Sequence, residues 1–282
     1  MSFNNETQVV SDFNELNISD KNSISANINH DNCYDPDSSK FWCKECVPRC
    51  IIEGWTSGND DIDNLIKDSI YDVRYGKYIG DGKYSPSFLE WVPFDRFKDM
   101  KQIGEGGFAK VYSATWIDGK AKYFKQDDGN WIKKKPSSKE VALKRLNGSQ
   151  NMSADYLNEL KTHWKLNCKQ SGSLRFYGMT KDPETKEFIM IMKFTSEGSL
   201  RNILSSNFKN ISWNEKFMYL SFAASDLKNL HELGYFHKDF HSGNMLSSGG
   251  VGVLPYIAPE VLNEEPYTLS SDIYSFGVVM AE

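Results

Sequence analysis

The sequence lacks the features that would place a chain in or across a membrane. No stretch of about 18 consecutive apolar residues occurs among its 282 residues, so no membrane span is expected. Residues 1–6 carry no basic segment, no apolar export segment and no glycine for myristoylation. The five cysteines, an odd number without an export signal, favour a reducing compartment over a disulfide framework. We therefore expect a soluble, cytoplasmic protein.

The chain also lacks an excess of positive charge. It has 33 Lys and Arg against 38 Asp and Glu, a net charge of −5. Residues 1–90 hold 8 basic and 16 acidic side chains, whereas the remainder holds 25 and 22. Nucleic-acid-binding domains typically present a basic face, so no nucleic-acid partner is expected. Apolar residues at 39% and charged residues at 25% are typical of a soluble globular protein.

An acidic head, residues 1–54, comes first. Residues 1–30 are rich in Asn, Ser and Asp without any apolar period, which predicts disorder. Four cysteines follow at C-x9-C-x2-C-x3-C spacing: Cys33, Cys43, Cys46 and Cys50. Thiolates at C-x2-C spacing can share a tetrahedral zinc, which the other two could complete. These loop lengths match no common zinc module and His30 is a competing ligand, so zinc and free cysteines both remain open.

Residues 55–96 form a short lead-in. Four apolar residues recur at helical spacing and predict a packed helix: Ile62, Leu65, Ile66 and Ile70. The segment 89–94 then leads toward the first strand of a domain that begins near residue 97. We found no internal repeat.

From residue 97 the pattern predicts a strand, a glycine turn and a second strand. The run 103–112, Ile-Gly-Glu-Gly-Gly-Phe-Ala-Lys-Val-Tyr, has glycines that would let a backbone approach phosphates closely. Polar residues 117–137, with a turn signal at 127–130, predict an extended hairpin. Residues 140–146, Glu-Val-Ala-Leu-Lys-Arg-Leu, read as a further strand.

The next segments predict helices around a loop that carries chemistry. Residues 153–166 place Leu157, Leu160 and Trp164 on one helical face, with Glu159 beside them. Residues 212–215, Ser-Trp-Asn-Glu, form a capping box that opens a long helix. That helix delivers the chain to residues 237–244, His-Lys-Asp-Phe-His-Ser-Gly-Asn, in which an Asp and an Asn stand five positions apart.

Taken in order, these motifs resemble the protein kinase family over roughly residues 97–282. The kinase patterns are G-x-G-x-x-G-x-V, V-A-I-K and H-R-D-x-x-x-x-N. Residues 258–260, Ala-Pro-Glu, and 271–277 resemble the end of an activation segment and the start of the αF helix. In the loop, Lys238 replaces the usual arginine and His241 stands where serine/threonine kinases usually have lysine. These departures resemble the tyrosine-kinase-like branch.

The resemblance implies an α+β, bilobal fold. Residues 97–195 would form an N-lobe with an antiparallel sheet plus the αC helix at 153–166, and residues 196–282 a truncated helical C-lobe. It also implies ATP and Mg²⁺ as cofactors and a protein substrate, with Ser/Thr hydroxyls favoured over Tyr, or else a scaffold partner.

The resemblance assigns site residues as well. Asp239 would be the catalytic base, Lys144 the phosphate clamp, Glu159 its partner and Asn244 a magnesium ligand, while Asp272 would bond the catalytic-loop backbone. The implied nucleotide-binding residues are Ile103, Gly104, Glu105, Gly106, Gly107, Phe108, Ala109, Val111, Ala142, Lys144, Met192, Phe194 and Leu246. Met192 would be the gatekeeper.

Two departures from the kinase pattern bear on activity. No aspartate lies between Asn244 and residues 258–260, where D-F-G is expected, and the sequence ends within αF. Both magnesium ions normally depend on the D-F-G aspartate. Three interpretations stay open: an incomplete version of an active kinase, a nucleotide-binding pseudokinase, or an interaction module acting through the head.

Overall fold

The computed structural model describes residues 17–18, 49–71, 76–80, 83–106, 109–125, 131–134, 137–168, 175–196, 198–245 and 266–281. The strands are β1 (Asn17–Ile18), β2 (Gly76–Gly80), β3 (Lys83–Pro86), β4 (Glu90–Trp91), β5 (Phe97–Glu105), β6 (Ala109–Trp116), β7 (Lys122–Lys125), β8 (Trp131–Lys134), β9 (Lys139–Leu146), β10 (Phe176–Lys181) and β11 (Phe188–Lys193). The helices are α1 (Arg49–Ile52), α2 (Asp60–Tyr71), α3 (Ala154–Cys168), α4 (Leu200–Asn207), α5 (Trp213–Glu232) and α6 (Leu269–Ala281). Two short 3₁₀ turns cover Phe94–Arg96 and Phe208–Asn210.

A six-stranded sheet in the order β4-β10-β11-β9-β6-β5 organises the first half of the fold. All its neighbours are antiparallel except β4 and β10. Helix α3, the expected αC, follows β9, and helices α4 to α6 follow β11. The expected α+β, kinase-like fold class is confirmed. The predicted hairpin between the second and third kinase strands is also present, as β7 and β8.

Two apolar clusters cover the two faces of this sheet. Alternation along β11 sends Phe188, Met190 and Met192 into one cluster and Ile189 and Ile191 into the other. We call the first the α3-side cluster because it also takes in side chains of that helix, and the second the outer cluster. Strand β11 is therefore buried on both of its faces, which explains the continuous apolar run 188–192.

The lead-in belongs to the same packed unit as the sheet. All four apolar residues predicted for its helix are buried on α2, and they join the α3-side cluster. Downstream, β4 adds to the sheet beside β10, at the edge opposite β5. Spacing alone predicted the helix, but not the surface that it covers.

The predicted disorder of residues 1–30 in the acidic head meets the structure only at two residues. Asn17 and Ile18, within the segment predicted to be disordered, pair as β1 with Trp131 and Ile132 of β8. Backbone hydrogen bonding therefore overrides the weak apolar content at these two residues. The rest of residues 1–30 lies outside the described residues.

The helical half is held by a smaller cluster. Leu200 of α4, Ala223 and Leu227 of α5, Phe240 and Val279 of α6 are its buried members. The predicted capping box is present, because the Ser212 hydroxyl accepts from the Glu215 amide and the Glu215 carboxylate accepts from the Ser212 amide. No helix in the described parts of the chain is both long and apolar enough to cross a bilayer.

Gly178 is required by the close approach of β4. A Cβ on Gly178 would stand 2.0 Å from the backbone oxygen of Glu90 and 2.7 Å from its nitrogen, so β4 would have to move away. We expect Gly178→Ala to lower the free energy of unfolding by about 1–3 kcal/mol, as for other overpacked sites, measured by urea denaturation. Gly277→Ala in α6 is the control, because a Cβ there meets nothing within 4 Å. Equal stability of the two variants would contradict the prediction.

Candidate functional site

The strand lysine and the helix glutamate meet as predicted. The Nζ of Lys144, on β9, lies 2.6 Å from Oε1 of Glu159 on α3. Burial alone would raise the pKa of Glu159, but the charge and hydrogen bond of Lys144 lower it overall. The carboxylate is therefore ionised at neutral pH and holds the ammonium group in a defined position on the sheet.

His163 is a neighbour of this pair that the sequence did not single out. It lies one helical turn after Glu159, with its Nε2 3.8 Å from Glu159 Oε1. Burial and the charge of Lys144 lower the pKa of His163, and Glu159 partly opposes them, with a net pKa of about 4. The imidazole is therefore neutral at pH 7 and does not compete with Lys144 for the carboxylate. The position of His163 four residues after Glu159 on a predicted helix is the signal in the sequence that could have identified it.

This shift predicts a dependence of stability on pH. The pKa of a histidine in an unfolded chain is about 6.5, whereas the pKa of His163 in the folded chain is about 4. Between these two pH values the unfolded chain therefore binds a proton that the folded chain does not. We expect the free energy of unfolding to fall as the pH drops from about 6.5 to 4, and His163→Gln to remove part of that slope. Urea unfolding at pH 7 and pH 5 measures it. An unchanged slope in the variant would contradict the prediction.

The predicted nucleotide-binding residues of the sheet share one face. Val111 pairs with Lys144 across β6 and β9, and Ala142 pairs with Met192 across β9 and β11. Side chains of directly paired residues point to the same face of a sheet, and so do side chains two residues apart on one strand, such as Ala142 and Lys144. Because Met192 and Ala142 belong to the α3-side cluster, all four side chains lie on the α3 side of the sheet. Met192 is buried in the α3-side cluster, and Phe194 follows β11 half-buried.

Strands β5 and β6 are joined at the predicted glycine turn. Gly106 donates to the Ala109 carbonyl at 2.8 Å, and Glu105 forms an ion pair with Lys110 at 3.1 Å. A Cβ at Gly104 or Gly106 would meet only ordinary contacts, at 3.8 and 3.9 Å. Packing among the described residues therefore does not demand glycine there, which fits a backbone that can approach a phosphate closely. Ile103 is half exposed at the same turn.

Several predicted site residues lie outside the described residues. They are Gly107, Phe108, Leu246, Cys33, Cys43, Cys46 and the residues 258–260. Cys50 lies in α1, but its side chain is likewise outside the description. Within the described ranges, no three or more His, Cys, Asp or Glu side chains are grouped to hold a metal ion. Zinc in the head stays an untested hypothesis.

The catalytic-type loop is anchored by Asp272, as predicted. This carboxylate is fully buried on α6 and accepts from the His237 amide at 2.8 Å and the Lys238 amide at 3.1 Å. It also contacts Nε2 of His231 at 2.8 Å and accepts from the Tyr267 hydroxyl at 2.7 Å. Burial raises the pKa of Asp272, but these hydrogen bonds lower it overall. Lys238 has φ +63°, a left-handed conformation. The hydrogen bonds that the His237 and Lys238 amides donate to Asp272 hold it in place.

Asp239 and Asn244 come together at the surface of this loop. The Nδ2 of Asn244 donates to the Asp239 backbone oxygen at 2.8 Å and to its Oδ2 at 2.7 Å. Because the amide nitrogen is engaged, the amide oxygen remains for a cation, and Mg²⁺ prefers oxygen ligands. The Asp239 side chain is 73% exposed, which leaves it accessible to a substrate hydroxyl.

His241 supports both of these residues, and the sequence identified it only as an unusual substitution. Its ring is buried, and Nδ1 accepts from the Asn244 amide at 3.0 Å. Its Nε2 lies 3.5 Å from Oδ1 of Asp239. The ring therefore fixes the turn between Asp239 and Asn244, the residues predicted as base and magnesium ligand.

Helix α3 connects the lysine pair to the loop. Beyond Glu159, Nζ of Lys165 on the same helix lies 3.4 Å from the Tyr235 hydroxyl, two residues before the loop. His237 also contributes to the lowered pKa of His163, so α3 and the loop are within electrostatic reach. One helix thus borders both parts of the candidate site. Together, an ammonium group, a glycine turn and an exposed carboxylate suit a triphosphate and a hydroxyl acceptor.

Comparison with known proteins agrees with this geometry. A family model described as protein tyrosine and serine/threonine kinase matches residues 97–253. Cysteine-rich receptor-like protein kinase 6 of Oryza sativa subsp. japonica is 28% identical over 224 residues, which cover 68% of this chain and 29% of the relative. A probable serine/threonine-protein kinase of Dictyostelium discoideum is 26% identical over 222 residues, 69% of this chain and 11% of that protein.

A third relative is L-type lectin-domain containing receptor kinase IX.2 of Arabidopsis thaliana, which is 28% identical over 218 residues. The match covers 67% of this chain and 29% of that relative. The chain therefore spans less than a third of the length of these relatives. Since the family model covers more than half of the chain, and the lysine, glutamate and loop stand in the expected order, the chain belongs to the protein kinase family.

Proposed function

We propose that this chain binds ATP with magnesium and transfers the γ-phosphoryl group to a serine or threonine hydroxyl of a protein. The observation that carries the proposal is the 2.6 Å contact between Lys144 and Glu159. That contact presents an ammonium group on the sheet face that also bears Val111, Ala142 and Met192. The serine/threonine kinases among the relatives favour Ser/Thr over Tyr acceptors.

The roles of the residues follow from their positions. Lys144 would bind the α and β phosphates, with Glu159 preventing it from turning away. The amides around Gly104 and Gly106 would cover the phosphates, and the backbone after Met192, toward Phe194, would contact adenine. Asp239, exposed and held by Asn244, would accept the proton of the attacking hydroxyl.

Asn244 is the magnesium ligand that the described loop offers. Bound magnesium neutralises phosphate charge as the phosphoryl group transfers. The sequence has no aspartate between Asn244 and residue 258, so we expect slow transfer by this chain. A thousandfold loss corresponds to about 4 kcal/mol of transition-state stabilisation. With Lys238 and His241 in the loop, we assign the chain to the tyrosine-kinase-like branch.

The test is a thermal-shift titration of the purified chain with ATP, with and without magnesium. Ligand at about 100 times its dissociation constant adds about 2.7 kcal/mol, so Tm should rise by roughly 5 °C or more. Transfer from γ-labelled ATP to a mixed Ser/Thr and Tyr protein substrate then reports the reaction. No shift at millimolar ATP in either condition would overturn nucleotide binding. A shift without any label transfer would leave binding and overturn catalysis.

A further inference from the structure

Helix α2 lies against the helix that carries Glu159. The buried side chains of α2 belong to the same apolar cluster as α3. From α3 that cluster takes Tyr156, Leu157, Leu160 and Trp164. Leu160, next to Glu159 in sequence, is fully buried, and α2 and α3 are in direct contact. The face of α3 that does not reach Lys144 is therefore covered in part by residues that precede the kinase-matched region.

The covering helix is itself held at its start. The Asp63 carboxylate accepts from the Ser57 amide at 2.8 Å, from the Ser57 hydroxyl at 2.5 Å and from the Thr56 hydroxyl at 2.6 Å. The Asn59 side chain accepts from the Ile62 amide at 3.1 Å, which caps the first turn. These bonds fix the direction in which α2 enters the apolar cluster.

The end of α2 is tied to the sheet. The buried Ser69 hydroxyl donates to the Ile66 carbonyl at 2.6 Å and accepts from the Leu89 amide at 3.0 Å. One residue on, β4 pairs with β10, and the Val92 amide donates to the Met179 carbonyl at 2.9 Å. The end of α2 is thus bonded to Leu89, and residues 90–92 are paired with the same sheet that carries Lys144.

Lys120 adds a second tie at this edge. Its ammonium group contacts the Phe88 carbonyl, the Tyr177 carbonyl at 3.2 Å and Oε1 of Glu90 at 2.9 Å. It therefore joins the segment before β4 to β10. Residues 51–71 and 88–92, which we call the clasp, are bound to the sheet by hydrogen bonds and to the α3-side cluster by apolar packing.

The Lys144–Glu159 contact alone is too exposed to orient α3. The two side chains are 29% and 37% exposed, and ion pairs of that exposure contribute little to stability because water and salt screen them. Burial of several large apolar side chains contributes far more. The position of α3 is therefore set by its packing, and the contact with Lys144 is a consequence.

We propose that the clasp is a positioning element of the nucleotide site, in which α2 holds α3 so that Glu159 reaches Lys144. This inference rests on the proposed role of Lys144 in nucleotide binding. Loss of α2 packing would let α3 move, separate the two side chains and weaken ATP binding. No residue of the clasp needs to touch the nucleotide.

The experiment compares two isoleucines of equal burial. Ile66 on α2 and Ile189 on β11 are both 0% exposed, but Ile66 lies in the α3-side cluster and Ile189 in the outer cluster. Ile66→Ala and Ile189→Ala remove the same atoms at similar cost. We expect Ile66→Ala to weaken binding of a fluorescent ATP analogue by at least about fivefold, and Ile189→Ala by less than about twofold. Ile66→Val and Ile189→Val replace them if the alanine variants do not fold.

A double variant tests whether Ile66→Ala weakens ATP binding through the contact between Glu159 and Lys144. In a Glu159→Gln background, Ile66→Ala should cause little further loss of affinity, since the contact it protects is already weakened. Hydrogen exchange of residues 154–168 without nucleotide should rise more in the Ile66 variant than in the Ile189 variant. Equal affinity losses in the two isoleucine variants, additive effects with Glu159→Gln, or equal exchange would overturn the clasp.

The exchange measurement separates this proposal from the one on which it rests. If the parent chain binds no nucleotide, the proposed function fails, while exchange in α3 still decides whether α2 holds that helix. If the parent binds ATP and both isoleucine variants bind alike, the clasp fails and nucleotide binding stands.

Discussion

Lys144→Met is expected to weaken ATP binding by about 10- to 100-fold, because a charge-assisted hydrogen bond to a phosphate contributes about 1.5–3 kcal/mol. The methionine keeps most of the apolar stem and loses the ammonium group that contacts Glu159 at 2.6 Å. Titration of the parent and variant with a fluorescent ATP analogue measures the change. A variant that binds as tightly as the parent would refute the clamp assignment.

Two controls make this result specific. Lys98→Met, on an exposed position of β5, removes the same charge away from the site and should leave affinity unchanged. Glu159→Gln keeps Lys144 but removes its charged partner, and should give a smaller loss than Lys144→Met. If Lys98→Met reduced affinity as much as Lys144→Met, the effect would reflect net charge and not the site.

Asp272→Ala is expected to have the largest effect on stability. It leaves the amides of His237 and Lys238, the Tyr267 hydroxyl and the His231 ring without their buried acceptor. Removing one partner of a buried charged network costs about 3–5 kcal/mol, which urea denaturation measures. Asp95→Ala, an exposed acidic residue before β5, is the matched control and should change stability by less than about 0.5 kcal/mol.

A second substitution at this position, Asp272→Asn, tests the contribution of the carboxylate to stability by its pH dependence. The folded pKa of Asp272 lies below its usual value because its hydrogen bonds outweigh the effect of burial. The contribution of Asp272 to the free energy of unfolding is therefore fully present above about pH 4, and it is lost as the pH falls through the pKa of the folded state. We expect Asp272→Asn to flatten the acid limb of the unfolding free energy below about pH 4. An acid limb identical to that of the parent would contradict this.

The motif residues were predictable because their order along the chain specifies both their partners and their elements. Lys144 on a strand and Glu159 on the next helix meet in the structure, and Asp272 binds the loop backbone. By contrast, Gly178 and Lys120 gave no signal in the sequence. Both residues matter because β4 packs closely against β10. Glu90 of β4 pairs with Gly178 although it lies 88 positions earlier in the sequence, so this contact depends on the tertiary structure.

The amino-acid sequence by itself determined the family, the strand and helix that carry the lysine and glutamate, and the loop with Asp239 and Asn244. These follow from local spacing, since helix and strand periods place side chains on known faces. Only the tertiary structure decided that α2 packs against α3, that β4 joins the sheet, and that His163 lies beside Glu159 and His241 beside Asp239. An apolar stripe along a helix predicts that this face of the helix is buried, but which element packs against it depends on how elements distant in sequence come together.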